Sequence, residues 1–233
     1  MKIFADGADL NLISRQIFDP RITGFTLNTT LMKKAGVTDY LAFAKELLSI
    51  VPDPFPVSLP ILSNNDNEMF DQAVQLSWLG ENVYVKVPIV HLNGCLTSSL
   101  ISRLTSQGIK VNITAIMTFA QVSSILSSIE FNTPAILSVF AGRIANSGRD
   151  PIPVMREIHN LLHCSGSLHD RVELLWASVR EPLNVIHAEQ SGCDIITLPP
   201  EMLSKLNGFG VDLDVLSQQT VDMFYRDGIS YKL

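Results

Sequence analysis

The sequence predicts a parallel (β/α)₈ barrel, read as one domain over residues 1–233. Three observations predict it. Eight short runs rich in β-branched and apolar residues recur along the chain, with helix-like stretches between them. Polar residues stand at the C-terminal ends of many of these runs, where a barrel assembles its site. No G-x-G-x-x-G follows the first run, so the dinucleotide fingerprint of the competing open, doubly wound sheet is missing.

In order, the predicted strands are 2–6, 22–27, 56–62, 82–88, 109–116, 134–140, 172–178 and 193–198. Between the second and third, Thr38 is expected to cap a helix with Leu41, Leu47, Leu48 and Val51 on one face. Asp66 starts the next, with Met69, Ala73, Leu76 and Leu79 at helical spacing. Further helices are expected near 97–106, 118–130, 151–163, 181–191 and 212–226. Glycine and proline clusters mark the turns, and no internal repeat or low-complexity linker interrupts the pattern.

Composition fits that fold. Hydrophobic residues make up 46% of the chain and charged residues 17%, which suits a sheet buried on both faces. The net charge is −6, with no run of Lys or Arg, so neither nucleic acid nor an anionic membrane surface is an expected partner. Cys95, Cys164 and Cys193 are odd in number and form no C-x-x-C. That argues against a disulfide framework or structural zinc and for a reducing cytoplasmic location. The N-terminus meets Asp6 almost at once, unlike a signal peptide, and no apolar run reaches the ~18 residues of a membrane span.

Lys86 is the most informative residue. It lies inside Val83-Tyr84-Val85-Lys86-Val87-Pro88, a strand expected to be covered on both faces. Burial lowers the pKa of an ammonium, and the neutral amine is the form that attacks a carbonyl. The alternative is an edge-strand lysine, or one paired with a carboxylate. Asp6 ends the first strand, where a carboxylate can hold a catalytic proton; Asp9 just beyond suits a helix N-cap. Asn28 follows strand two and Thr114 lies near the end of strand five; both can hydrogen-bond a substrate or a water, or serve as turn or structural polar residues. Arg143, Ser178 and Arg180 follow strands six and seven, and together suit a phosphate clamp. Surface salt bridges are the alternative for the arginines. The histidines are His91, His159, His163, His169 and His187. His159 and His163 lie four apart without the glutamate of H-E-x-x-H, so a packed helix face is expected and no metal site. No G-x-S-x-G elbow is present.

These strand-end residues, taken in order, resemble the transaldolase family, in the small branch of fructose-6-phosphate aldolases and short bacterial transaldolases. The carriers run along essentially the whole chain. They are Ile3-Phe4-Ala5-Asp6-Gly7-Ala8, Gly24-Phe25-Thr26-Leu27-Asn28-Thr29-Thr30 and Asn82-Val83-Tyr84-Val85-Lys86-Val87-Pro88. Val111-Asn112-Ile113-Thr114-Ala115, Ser138-Val139-Phe140-Ala141-Gly142-Arg143-Ile144 and Leu175-Trp176-Ala177-Ser178 continue the match.

The resemblance implies a class I aldolase or transaldolase that handles a small phosphorylated keto sugar without metal or organic cofactor. It matches Lys86 to the Schiff-base lysine, Asp6 to the proton-transfer acid and Thr114 to a holder of the catalytic water. It matches Asn28, with Thr26 in the same motif, to binding of the dihydroxyacetone portion, and Arg143 and Ser178, with Arg180 beside them, to the phosphate. It also implies a homo-oligomer, commonly a decamer of two pentamers, with helix 212–226 (Val215, Val221, Phe224, Tyr225) packing either on a neighbour or on its own barrel.

Three departures stand out. Pro60 replaces a polar residue of strand three, Val90 a threonine, and Phe140 a tyrosine found in some members. Pro60 and Phe140 offer no side-chain hydrogen bond to a water. Either His91 or Ser58 substitutes, or the reaction has shifted to an unusual sugar, or the barrel binds phosphosugars without turnover.

Overall fold

The structure is a computed structural model and describes residues 1–164 and 171–231; His169 and the side chain of Cys164 lie outside them. Eight parallel strands close into a barrel in the order of the sequence. They are β1 (Lys2–Asp6), β2 (Ile22–Thr26), β3 (Val57–Pro60), β4 (Val83–Pro88), β5 (Val111–Ile116), β6 (Ala135–Val139), β7 (Val172–Trp176) and β8 (Ile195–Leu198). All eight expected strands are present, each within about two residues of its expected edge.

Alternation along each strand divides the core in two. On β4, Val83, Val85 and Val87 join the large cluster between sheet and helices, whereas Tyr84 packs on a smaller one inside the barrel. That inner cluster holds Phe4, Ile136, Leu175, Ala177 and Ile195. Gly24 on β2 makes room for it, because a β-carbon there would come within 2.6 Å of the Phe4 ring. The same alternation turns Lys86 inward, two residues above Tyr84.

The helices are α1 (Leu10–Gln16), α2 (Thr29–Lys34), α3 (Tyr40–Ile50), α4 (Asp66–Ser77), α5 (Ser98–Thr105) and α6 (Phe119–Ile125), then α7 (Ala141–Asn146), α8 (Ile152–Cys164), α9 (Asn184–Gln190), α10 (Pro200–Lys205) and α11 (Leu213–Gly228). Helix α4 begins at Asp66 and buries Met69, Ala73 and Leu76 as its spacing predicts, with Asn65 as its cap. Helix α3 is capped by Asp39, which accepts from Ala42 N, and not by Thr38; it buries Phe43, Ala44 and Leu47, leaving Leu41 and Leu48 on its flanks. The capping carboxylate outcompetes the neighbouring hydroxyl because it accepts a backbone donor with full charge. Asp9 caps α1, the structural role open to it above. Among the described residues, no helix is long and apolar enough to cross a membrane.

Candidate active site

The C-terminal ends of the strands surround a cavity of about 510 Å³. Asp6, Asn28, Lys86, Thr114, Arg143, Ser178 and Arg180, each singled out from sequence, all line it. They come from six strand ends, so the barrel's closure is what brings them together.

Lys86 is 8% exposed and sits between Pro60 of β3 and Asn112 of β5 in the sheet register. A closed barrel has no edge strand, and Lys86 forms no ion pair with any described carboxylate, so both alternative readings of this lysine fall away. Its Nζ donates to the Leu27 carbonyl at 3.1 Å. Burial lowers the pKa of its ammonium, with the nearby Asp6 charge opposing. Asp6 is shifted the other way. Burial raises its pKa, the Lys86 charge and a Thr26 hydrogen bond hold it back, and the Glu201 carboxylate adds to the rise. An amine biased toward its neutral form therefore stands near a carboxyl biased toward its protonated form. Such a pair has the chemistry to serve as a nucleophile with an acid/base group.

The register Asp6↔Thr26 places that threonine beside the carboxylate. Thr26 is 1% exposed and donates to Asp6 Oδ1 at 2.9 Å. It is absent from the cavity lining, and its hydroxyl supports the Asp6 carboxylate. Asn28 lines the cavity while its Oδ1 caps α2, accepting from Leu31 N at 3.0 Å; its two amide donors remain for the cavity. Thr114 Oγ1 is buried without a partner among the described residues. It precedes Ala115, which takes a left-handed φ of 61° where the β5–β6 register shifts. A buried hydroxyl without a partner, on a residue that lines a cavity, calls for a ligand or water to satisfy it.

Gly142 builds the anion side. It is the second residue of α7, and a β-carbon there would lie 1.6 Å from the Ser178 carbonyl oxygen. Only glycine lets α7 approach the segment after β7 this closely, which sets Arg143 beside Ser178. The Arg143 guanidinium lies 5.5 Å from the centre of the Phe140 ring. Arg180 is held by Asn146 Oδ1 at 3.2 Å on Nε and by Asn184 on its backbone N–H. Neither arginine forms an ion pair with a described carboxylate, although Asp6 and Glu201 line the same cavity.

Part of the lining is apolar. Pro60, Ile61, Pro88 and Phe140 all line the cavity. Ser58 is buried below it, accepting from Asn112 Nδ2 at 2.9 Å, while Ser138 donates to Asn112 Oδ1 at 2.6 Å. His91 pairs with Asp66 at 3.2 Å. Neither Ser58 nor His91 lines the cavity, which disfavours the alternative in which one of them substitutes for the missing polar groups. His159 and His163 stack with ring centres 4.2 Å apart, and no metal-binding cluster occurs among the described residues.

Sequence reasoning gave no site role to four polar lining residues, Thr29, Thr30, Thr197 and Glu201. Thr197 lies one residue before the end of β8, so the rule that found the others applies to it, but a threonine among Ile195, Ile196 and Leu198 reads as an ordinary strand former. Glu201 lies in the first turn of α10, a helix of 6 residues that shows no periodicity to find.

Residues 3–229 match the family model described as transaldolase/fructose-6-phosphate aldolase. A protein named "probable transaldolase" from Nitrosopumilus maritimus is 32% identical over 208 residues, covering 88% of this chain and 87% of that protein. One of the same name from Methanococcus maripaludis is 32% identical over 206 residues, covering 88% and 89%. Among solved structures, the 3-hexulose-6-phosphate synthase of Salmonella typhimurium superposes with a TM-score of 0.58 at 14% identity, over 85% of this chain and 89% of that one. That likeness speaks to the barrel alone.

Proposed function

The chain belongs to the transaldolase/fructose-6-phosphate aldolase family, and from that premise we propose that it is a Schiff-base enzyme acting on phosphorylated keto sugars, with Lys86 as nucleophile. The observation that carries this reading is the inward, unpaired, buried Lys86 facing Asp6 across one cavity. In the proposed cycle the neutral Lys86 amine adds to the ketose carbonyl and water leaves, giving an iminium. The Asp6 carboxylate takes the proton of the C4 hydroxyl while the C3–C4 bond breaks. The bonding electrons pass into the iminium as an enamine, and an aldehyde departs. The three-carbon enamine then attacks an acceptor aldehyde, which is transfer, or is protonated and hydrolysed, which is simple cleavage. Arg143, Ser178 and Arg180 hold the phosphate, with charge-assisted hydrogen bonds from two guanidinium groups. Asn28 and the open Thr114 hydroxyl take the sugar hydroxyls or a water.

Borohydride reduction with fructose 6-phosphate or dihydroxyacetone, followed by peptide mass analysis, tests the reading. An adduct on Lys86 supports it. A folded protein that traps none of a panel of ketoses overturns it. A second reading, turnover of an unusual sugar, is favoured by one feature: Pro60 and Phe140 both face the cavity, so a less hydroxylated carbon fits that wall.

For assembly we propose a homo-oligomer joined through α11. None of the 16 residues of this helix is buried, which disfavours packing on its own barrel. Val221, Phe224 and Tyr225 are each more than 60% exposed. An apolar helix face of this kind is covered in most stable proteins, and a second copy of the chain is the partner the family resemblance offers.

A further inference from the structure

Beneath the cavity floor lies a continuous line of hydroxyl groups. Thr197 Oγ1 is 2.5 Å from Thr26 Oγ1, and Thr26 donates to Asp6 Oδ1 at 2.9 Å. Thr26 and Thr197 are both buried, yet Thr197 also lines the cavity, beside Glu201 in the same stretch of chain. Each hydroxyl carries one proton and accepts at its lone pairs. That fixes the direction of the line. With Asp6 ionised, Thr26 must donate to it, so Thr197 must donate to Thr26. With Asp6 protonated, the order can run backwards: Asp6 donates to Thr26, Thr26 to Thr197, and the Thr197 proton turns from Thr26 toward the cavity.

We propose that Thr197 is a positioning residue for Asp6, acting through Thr26 as a two-hydroxyl relay that returns the proton taken up by Asp6 to the cavity. The inference rests on the Schiff-base reading for its role in turnover, but not for its effect on Asp6. In the discharge step the Asp6, Thr26 and Thr197 O–H bonds break. New O–H bonds form on Thr26, on Thr197 and on the final acceptor, a water of the cavity or the Glu201 carboxylate. One proton crosses and nothing else changes. Asp6 also lines the cavity itself, so the line adds to direct exchange at its carboxyl; the remaining routes are poor. Pro60 and Phe140 cannot bind a water through a side chain, Ser58 is committed to Asn112, and His91 lies elsewhere. Among the described residues, the threonine line is the hydrogen-bonded path from Asp6 to another cavity-lining group. The charged groups that act on Asp6 are Lys86 from β4 and Glu201 from α10, with Arg143 and Arg180 sharing the cavity.

Thr197→Val removes the hydroxyl at nearly constant volume, and Thr197→Ser keeps it. Two measurements separate the possible failures. The first is the titration of the Asp6 carboxyl, followed by carbon NMR in the ligand-free protein. Its midpoint should move up in Thr197→Val, because the donor that orients Thr26 toward the carboxylate is gone, and should return in Thr197→Ser. An unchanged midpoint overturns the proposal, whether or not any sugar is turned over. The second is kinetic. Thr197→Val should still trap a ketose on Lys86, with kcat lower by about tenfold, KM within about twofold, and the acid limb of kcat displaced to higher pH. Full kcat with an unmoved limb, in a variant that still traps, overturns the relay while leaving the Schiff-base reading intact. Thr26→Val cuts the next link and must reproduce both effects if Thr197→Val fails to fold.

Discussion

Gly142 lies so close to Ser178 that a β-carbon on the glycine would stand 1.6 Å from the serine carbonyl oxygen. The neighbour is backbone, so nothing flexible can yield. Gly142→Ala must push α7 away from the segment after β7, and Ser178 is already in a left-handed conformation with φ 68°. We expect a loss of about 1–3 kcal/mol of stability from overpacking. KM for a phosphorylated substrate should rise as well, since Arg143 moves with α7. Denaturant unfolding and steady-state kinetics on the one variant check both effects.

Arg143 has no carboxylate partner among the described residues and leans on the Phe140 ring. Its charge is therefore free for a ligand anion. Arg143→Met should raise KM for a ketose phosphate by about 10–100-fold, the loss of a charge-assisted pair. KM for the same ketose without phosphate should barely change. An equal rise for both sugars would mean that the residue shapes the barrel mouth rather than reading the phosphate.

Burial works against charge at Lys86 and Asp6 alike, and this predicts a trade of stability for function. The ammonium has a folded-state pKa below its ordinary 10.5, so the unfolded chain binds more protons there, and stability from this group rises with pH toward 10.5. The carboxyl has a folded-state pKa above its ordinary 3.8, so its contribution is present below that value and lost as pH climbs through the folded pKa. Lys86→Met alone leaves Asp6 without its cation and forfeits part of the gain. The pair Lys86→Met with Asp6→Asn removes both charges, and the amide oxygen introduced by the second change can still accept from Thr26. That double variant should be more stable than the parent at pH 7 by about 1–2 kcal/mol, or roughly 2–8 °C in a melt, and should trap no ketose. A melt below that of the parent would show that the charged groups stabilise the fold.

The strands were legible in the sequence for a physical reason. A barrel strand is buried on both faces, so Val83, Val85, Val87 and their counterparts stand out as dense β-branched runs. The short helices were not. α1, α2, α7 and α10 have 7, 6, 6 and 6 residues, fewer than two full turns, and show little of a 3.6-residue period; α6 and α9, 7 residues each, were expected only as longer stretches that fill the gaps between strands. The candidate site follows the same division. Lys86 and Asp6 declared themselves as charges where a strand should be apolar or should end. Thr26 needed the register with Asp6 before its part was visible. The Ser58–Asn112–Ser138 network could not be read from sequence at all, because small polar residues in a strand look alike whether they face solvent, helix or barrel interior.

α11 makes the last prediction. Its 16 residues bury nothing in the chain that carries them, while Leu213, Leu216, Val221, Phe224 and Ile229 stay exposed. Burying several such side chains is worth about 1.5–3 kcal/mol each, enough to drive association at micromolar concentrations once a few act together. Phe224→Glu with Val221→Glu places two carboxylates in that surface, where each would have to be desolvated unpaired. Light scattering should show the parent as a multimer and the variant as a smaller species, with the barrel's circular dichroism unchanged because α11 takes no part in its core. A parent that runs as a monomer at all concentrations would remove the assembly, and the apolar face of α11 would then need a partner other than a second copy.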